Sequence, residues 1–294
     1  MSRRAKVWVA LWAVYIIWGS TYLFIAIAVE TVPPLTAVST RFVAAGLIMA
    51  AIVVRRGGTM RVSRRELASC VLIGCLLPGA NAVLFFAEEH VATGIASLLI
   101  ASVPLLVVLL RLWGRERLRP RTLTGVGVGF AGVAVLLRPS GGATAGAVAL
   151  CMLSAAMWAV GSVAAARLPM PRDAFAATAW EMLAGGVLML PWGIADAGGL
   201  SPSAGSVLAW VYLVSVGSVV GYTAYTWLLA HAPLSTASTY AYVNPIVAIL
   251  LGVLFRNERL TVQIGIGAAI IVAAVAVVVR QEPPAATAPE EGVR

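Results

Sequence analysis

The chain has 294 residues, 61% of them hydrophobic and 11% charged, with a net charge of +9 carried by twenty Arg and a single Lys. Soluble proteins average about 25% charged residues, and no soluble core of this length could hide so much apolar surface, so the bilayer must take up the excess. The arginines punctuate apolar runs instead of forming one basic face, which points to anionic lipid headgroups and away from nucleic acid.

Runs of about 20 apolar residues predict ten membrane helices. The first, near 7–29, follows a basic start (Arg3, Arg4, Lys6). No small-residue cleavage pattern lies behind it, so it reads as a helix and not as a signal peptide. One face carries Tyr15, Trp18 and Tyr22. The second, 35–54, bears Arg41 about seven residues in, or roughly 10 Å deep at 1.5 Å per residue. Its side chain leans toward the helix N-terminus, in the direction of Glu30 or Glu88. A structural anchor or ion pair is the first reading of Arg41, and a substrate-carboxylate contact the second.

In the third helix, 67–87, Pro78, Asn81, Phe85 and Glu88 recur on one face. Glu88 is therefore a pore or gate candidate, while Glu89 is expected in solvent. The fourth, 93–112, holds Pro104. The fifth, 122–137, contains Gly127-Val128-Gly129-Phe130-Ala131-Gly132, formally a GxGxxG. A dinucleotide site needs that pattern at a strand-to-helix turn in water. Inside an apolar helix, Gly125 and Gly129 instead read as a close helix–helix contact, as do Gly217 and Gly221 in the eighth.

The sixth helix, 145–166, carries Trp158, and the seventh, 174–194, carries Glu181, an intramembrane carboxyl that is a candidate for proton coupling. The eighth, 206–229, aligns Ser215, Ser218, Tyr222 and Tyr225. The ninth, 235–255, holds Thr239, Tyr240, Asn244 and Pro245; the tenth spans 262–279. The tail over 281–294, rich in Pro, Ala and Glu, is expected to be disordered. Cys70, Cys75 and Cys151 sit in apolar runs and suggest neither a disulfide nor a metal site. No cofactor is expected.

Orientation follows from the Lys and Arg between the helices. With the N-terminus in the cytoplasm, seventeen fall inside and only Arg138, Arg256 and Arg259 fall outside. Both termini are thus expected in the cytoplasm of a multi-pass protein of the bacterial inner membrane.

The sequence also repeats itself. At an offset of 141 residues, His90, Ala96, Ser97, Pro104, Leu109, Leu110 and Arg115 meet identical partners, and one inserted residue brings Glu116-Arg117-Leu118 onto Glu258-Arg259-Leu260. These are the fourth and ninth helices. Five is odd, so the copies cross the membrane in opposite directions. Trp18-Gly19-Ser20 likewise resembles Trp158…Gly161-Ser162, and Arg41-Phe42…Gly46 aligns with Trp180-Glu181…Gly185. The fold class is therefore an all-α polytopic membrane protein, ten transmembrane helices arranged as two inverted five-helix repeats (1–139 and 140–280), a plan common among secondary transporters.

These residues also carry a family resemblance. Trp18-Gly19-Ser20, Arg41-Phe42, Ala87-Glu88-Glu89-His90 leading into Gly94-Ile95-Ala96, Pro104, Asn244-Pro245 and Glu258 make the chain similar to the drug/metabolite transporter superfamily, in its EamA-type branch of ten-helix exporters. The resemblance implies efflux of amino acids, metabolites or drug-like solutes by alternating access, without ATP.

Mid-helix Pro78, Pro104 and Pro245 each free the carbonyl four residues earlier, which marks hinges beside a cavity. The expected substrate contacts are Trp18, Tyr22, Asn81, Glu88, Trp158, Tyr222, Thr239, Tyr240 and Asn244. Arg41, Glu181 and the three prolines are expected to gate or couple. The partners are a small-molecule substrate, the lipid bilayer and, as an open candidate, protons. A monomer is expected, with a homodimer left open. Two rival readings remain: uptake in place of efflux, and an intramembrane enzyme. The second lacks an HExxH and any aspartate pair within the helices.

Overall fold

The computed structural model describes residues 2–115, 120–136, 143–232 and 239–281. Outside these lie Glu116, Arg117, Leu118, Arg119, Arg138, Thr236, Ala237, Ser238 and the tail beyond Gln281 with Arg294, so the expectations placed on them fall outside the described residues. Ten spanning helices occupy the rest. α1 covers Arg3–Ala28, α2 Pro34–Arg55 and α3 Arg64–Glu88. α4 comes in two pieces, Thr93–Ile100 and Val103–Trp113. α5 is Pro120–Leu136, α6 Ala145–Ala165 and α7 Ala174–Asp196. α8 runs from Ala204–Tyr212 through a π-helical stretch, Leu213–Val220, into Gly221–His231. α9 is Tyr240–Arg256 and α10 Val262–Gln281.

Polar residues between the apolar runs start these helices. The Ser2 hydroxyl accepts from Ala5 N (3.3 Å) at α1, and Ser63 with Glu66 forms a reciprocal capping box at α3. Thr144, Asp173 and Ser203 cap α6, α7 and α8 in the same way. α4 is capped from the other half of the chain. The Glu258 carboxylate, in the α9–α10 turn, accepts the N–H groups of Thr93 (2.7 Å) and Gly94 (3.1 Å). The turn that presents it needs Asn257 in the left-handed region (φ 53°), with Glu258 N donating to Gly252 O at 3.1 Å.

Seven of these helices are long and apolar enough to cross a membrane, and α9 and α10 add shorter apolar helices. Trp8, Trp12, Leu47, Trp113, Trp192, Leu254 and Phe255 all face outward and exposed. A bundle in water could not leave so wide an apolar surface uncovered.

Packing is symmetric between the halves. α2 lies on α7, α5 on α10, and the first piece of α4 on α9, each a helix against its own counterpart. α3 packs on α6 as α8 packs on α1, and α1 on α9 as α6 on α4. Small residues make the closest contacts. A Cβ on Gly46 would meet Leu183 at 2.8 Å, and one on Gly186 would meet the Val43 backbone at 2.7 Å, both between α2 and α7. Gly125, Gly129 and Gly132 admit Val278, Ala274, Ile270 and Ile271 of α10, whereas Gly127 faces open space. The glycine run in the fifth helix is thus a packing face with one outward member. Gly217 and Gly221 seat Thr21 and Trp18 of α1.

Candidate functional site: a cavity between the halves

A cavity of about 120 Å³ opens where α1, α2, α3, α4, α6, α8 and α9 converge. Each half contributes equivalent positions to its wall: Trp18 with Trp158, Asn81 with Tyr222, Val103 with Asn244, and Pro104 with Pro245. The backbone makes room at the two prolines. α4 stops at Ile100, turns through Ala101 and Ser102, and restarts with Pro104 in its first turn. The Ser102 hydroxyl donates to Leu99 O at 2.6 Å and helps hold that turn. In α9 the helix runs on through Pro245 without a break. Ile100 and Ala241, whose carbonyls the prolines free, both line the cavity.

Of the nine expected substrate contacts, Trp18, Tyr22, Asn81, Trp158, Tyr222, Tyr240 and Asn244 line the wall. Trp18 stands edge-on to Tyr222 (5.4 Å between centroids) and Tyr240 (5.0 Å), with Tyr225 tilted behind it at 4.9 Å. Asn81 Nδ2 donates to Leu77 O at 3.2 Å. The Asn244 amide, turned as its neighbours require, donates to the carbonyls of Tyr240 (3.2 Å) and Tyr15 (3.3 Å).

Two expected contacts lie elsewhere. Thr239 is hydrogen-bonded to the Tyr15 hydroxyl, which ties α1 to the start of α9. Glu88 is buried off the cavity wall, and neither of its carboxyl oxygens has a hydrogen-bond partner. It ends α3 one turn beyond Leu84, on the same helical face but past the residues that line the cavity.

Among the expected gating residues, Arg41, Pro104 and Pro245 line the cavity, and Glu181 and Pro78 do not. Pro78 is buried at the contact of α3 with α7, where a Cβ on Gly185 would meet it at 2.5 Å.

Arg41 does not reach outward to an acid. Its guanidinium crosses to α8, where Nε donates to Ser218 Oγ at 3.1 Å, and Glu30 pairs instead with Arg256 of α9. The π-helical stretch accounts for this. A wider turn rotates the residues around it, so Ser218 is buried against Arg41 while Ser215 turns outward and donates to Val211 O. The single face expected for the eighth helix is thereby split.

Sequence reasoning missed Thr21, Ser97 and Ser154, all polar and all on the wall. Ser97 was within reach, because it is one of the residues repeated in the ninth helix. Ser154 sits one turn before Trp158 and donates to Ala80 O at 2.7 Å. Among the described residues no group of three His, Cys, Asp or Glu side chains comes together to hold a metal ion.

Two stretches, residues 6–138 and 145–280, match the EamA-like transporter family. The chain is 37% identical over 277 residues to the "Uncharacterized inner membrane transporter YedA" of Escherichia coli (strain K12), covering 92% of this chain and 89% of that protein. It is 25% identical over 281 residues to an "Uncharacterized transporter" of Archaeoglobus fulgidus, with 94% and 99% covered. A solved crystal structure shares the fold at a TM-score of 0.67, with 23% identity and coverage of 94% and 96%.

Proposed function

Because this chain belongs to the EamA-like transporter family and is a membrane transporter, we propose that it exports small amphipathic solutes, amino acids and related metabolites among them, from the bacterial cytoplasm. Transport proceeds by alternating access, driven by the solute gradient or by protons. The observation that carries this reading is the cavity wall, drawn from equivalent positions of two inverted halves. Inverted halves can exchange conformations, so one site opens to either face in turn. Apolar and aromatic walls with a few placed polar groups suit a solute that is part apolar and part polar. Residues of one chain line the cavity, which supports a monomer as the unit of transport over a homodimer, and the relatives named as transporters support translocation over catalysis.

Three measurements test this. Uptake of a panel of amino acids and organic acids into inverted membrane vesicles should exceed that of empty vesicles, and Tyr222→Ala should cut it about 10-fold or more, equivalent to about 1.4 kcal/mol. Equal uptake with and without the protein would remove the export reading. A pH gradient that drives wild-type uptake but not that of Glu181→Gln would assign coupling to that carboxyl. For orientation, Thr59→Cys in a background free of Cys70, Cys75 and Cys151 should resist an impermeant thiol reagent applied to whole cells. Its labelling from outside would reverse the proposed topology.

A further inference from the structure

We infer that the cavity takes an organic anion, whose carboxylate docks on the Arg41 guanidinium while its apolar body lies along the aromatic wall. The inference deepens the transporter reading and rests on it for passage, though binding alone can test it. Arg41 is 3% exposed, its Nε is satisfied by Ser218, and its Nη1 is fully buried without a partner. Phe42 and Phe85 flank the cation, with ring centroids 5.1 Å and 5.9 Å from Cζ. A guanidinium stays charged in any protein environment. At membrane depth such a charge normally has an acid or a water-filled space to answer it.

Among the described residues, no Asp or Glu side chain lines the cavity that Arg41 enters, and Arg41 forms no ion pair. Glu88, which the same bundle buries, keeps both oxygens unbonded and lies beyond the residues of the cavity wall. The missing counter-charge is therefore supplied by what fills the space.

The surroundings prepare that role. The π-helical stretch of α8 brings Ser218 under Nε, and Gly217 adjoins Nη2 closely, since a Cβ there would stand 3.6 Å from it. One edge of the fork is thus held by the protein, and the free donors are left to bind a carboxylate, whose two oxygens match the fork. Trp18, Tyr222 and Tyr240 offer ring edges and faces to an apolar body. An amine on the solute would find no carboxylate on the wall and would place a like charge near Arg41. Binding should therefore rank a monoanion above a zwitterion, and a zwitterion above a cation.

Calorimetric titration of the purified full-length protein with 3-phenylpropionate, phenylalanine and phenylalaninamide tests that order on one ring and one chain length. The expected result is phenylpropionate about 10-fold or more tighter than phenylalaninamide, with phenylalanine between them. Arg41→Gln should level the series, and Ser218→Ala, which frees the guanidinium to move, should weaken phenylpropionate by about 2- to 5-fold. An amide that binds wild type as tightly as the acid, or no binding of the acid at millimolar concentration, would overturn the inference whether or not the variants fold. So would a series unchanged in Arg41→Gln. Solute counterflow in proteoliposomes separates the two claims. Flux of neutral or cationic solutes without preference for anions would leave the transporter standing and remove the anion site. Ranked anion binding with no flux of any solute would do the reverse.

Discussion

At the scale of single residues, polar groups in this bundle have been assigned partners across the halves, and two acids show the contrast. Glu258 answers two N–H groups at the start of α4, at 2.7 Å and 3.1 Å, from a turn half a chain away. Glu258→Ala should lower stability by about 1–2 kcal/mol, in the range of a lost helix cap. It should show as a lower melting temperature in detergent, with solute preference unchanged. A melting point equal to wild type would mean water replaces the cap without loss. Glu88, buried with both oxygens unbonded, predicts the opposite outcome. An unanswered buried carboxyl contributes nothing that an amide of the same shape cannot, so Glu88→Gln should melt at or above the wild-type temperature. A large drop would reveal an ionised, partnered Glu88.

The sequence carried the types and depths of these residues but not who meets whom. Trp18, Trp158 and Tyr222 were expected among the substrate contacts, and they line the cavity. Arg41 was legible as a buried cation. Its turn toward Ser218 was not, because that partner exists only through the local geometry of another helix.

At the scale of elements, helix positions were readable because the bilayer imposes one length on every apolar run, and each of the ten expected segments finds its helix. Interruptions were readable only where proline makes them. The break at Ala101–Ser102 goes with Pro104, yet Pro245 at the matching place leaves α9 continuous, and the π-helical turns of α8 carry no proline, while their Gly217–Gly221 spacing reads as helix packing and not as a wider turn. Glycine contacts were legible by spacing in α5 and not at the crossing of α3 and α7. There a Cβ on Gly74 would come within 2.6 Å of Glu181 O and 2.9 Å of Gly185 N, both backbone atoms that cannot step aside cheaply. Gly74→Ala should therefore cost about 1–3 kcal/mol. Gly127→Ala, pointing into open space, should instead gain about 0.5–1 kcal/mol from helix propensity. Melting curves of the pair in one detergent decide it, and equal shifts in both would place the α3–α7 contact further apart than described.

At the scale of the molecule, the inverted repeat was legible from residue identity and the odd number of helices between the copies, and its consequence for packing was not. Similar halves could have folded as two neighbouring bundles. Instead they interleave: α2 is covered by α7, α5 by α10, and α3 by both α6 and α7. The main buried cluster accordingly draws on Phe42, Phe85, Leu99 and Leu105 from one half and Met182, Leu213, Ala248 and Ile271 from the other. Each half alone would expose to lipid the glycine faces of α2 and α5 and the Arg41 guanidinium, whose hydrogen-bond partner among the described residues, Ser218, belongs to the other half. Small-residue contacts that serve helix association gain nothing from lipid tails. The two halves, expressed separately and cut at residue 140, should each be degraded, whereas co-expression should yield a complex that copurifies and binds solute. A stable first half on its own would mean that the halves fold as units and merely dock.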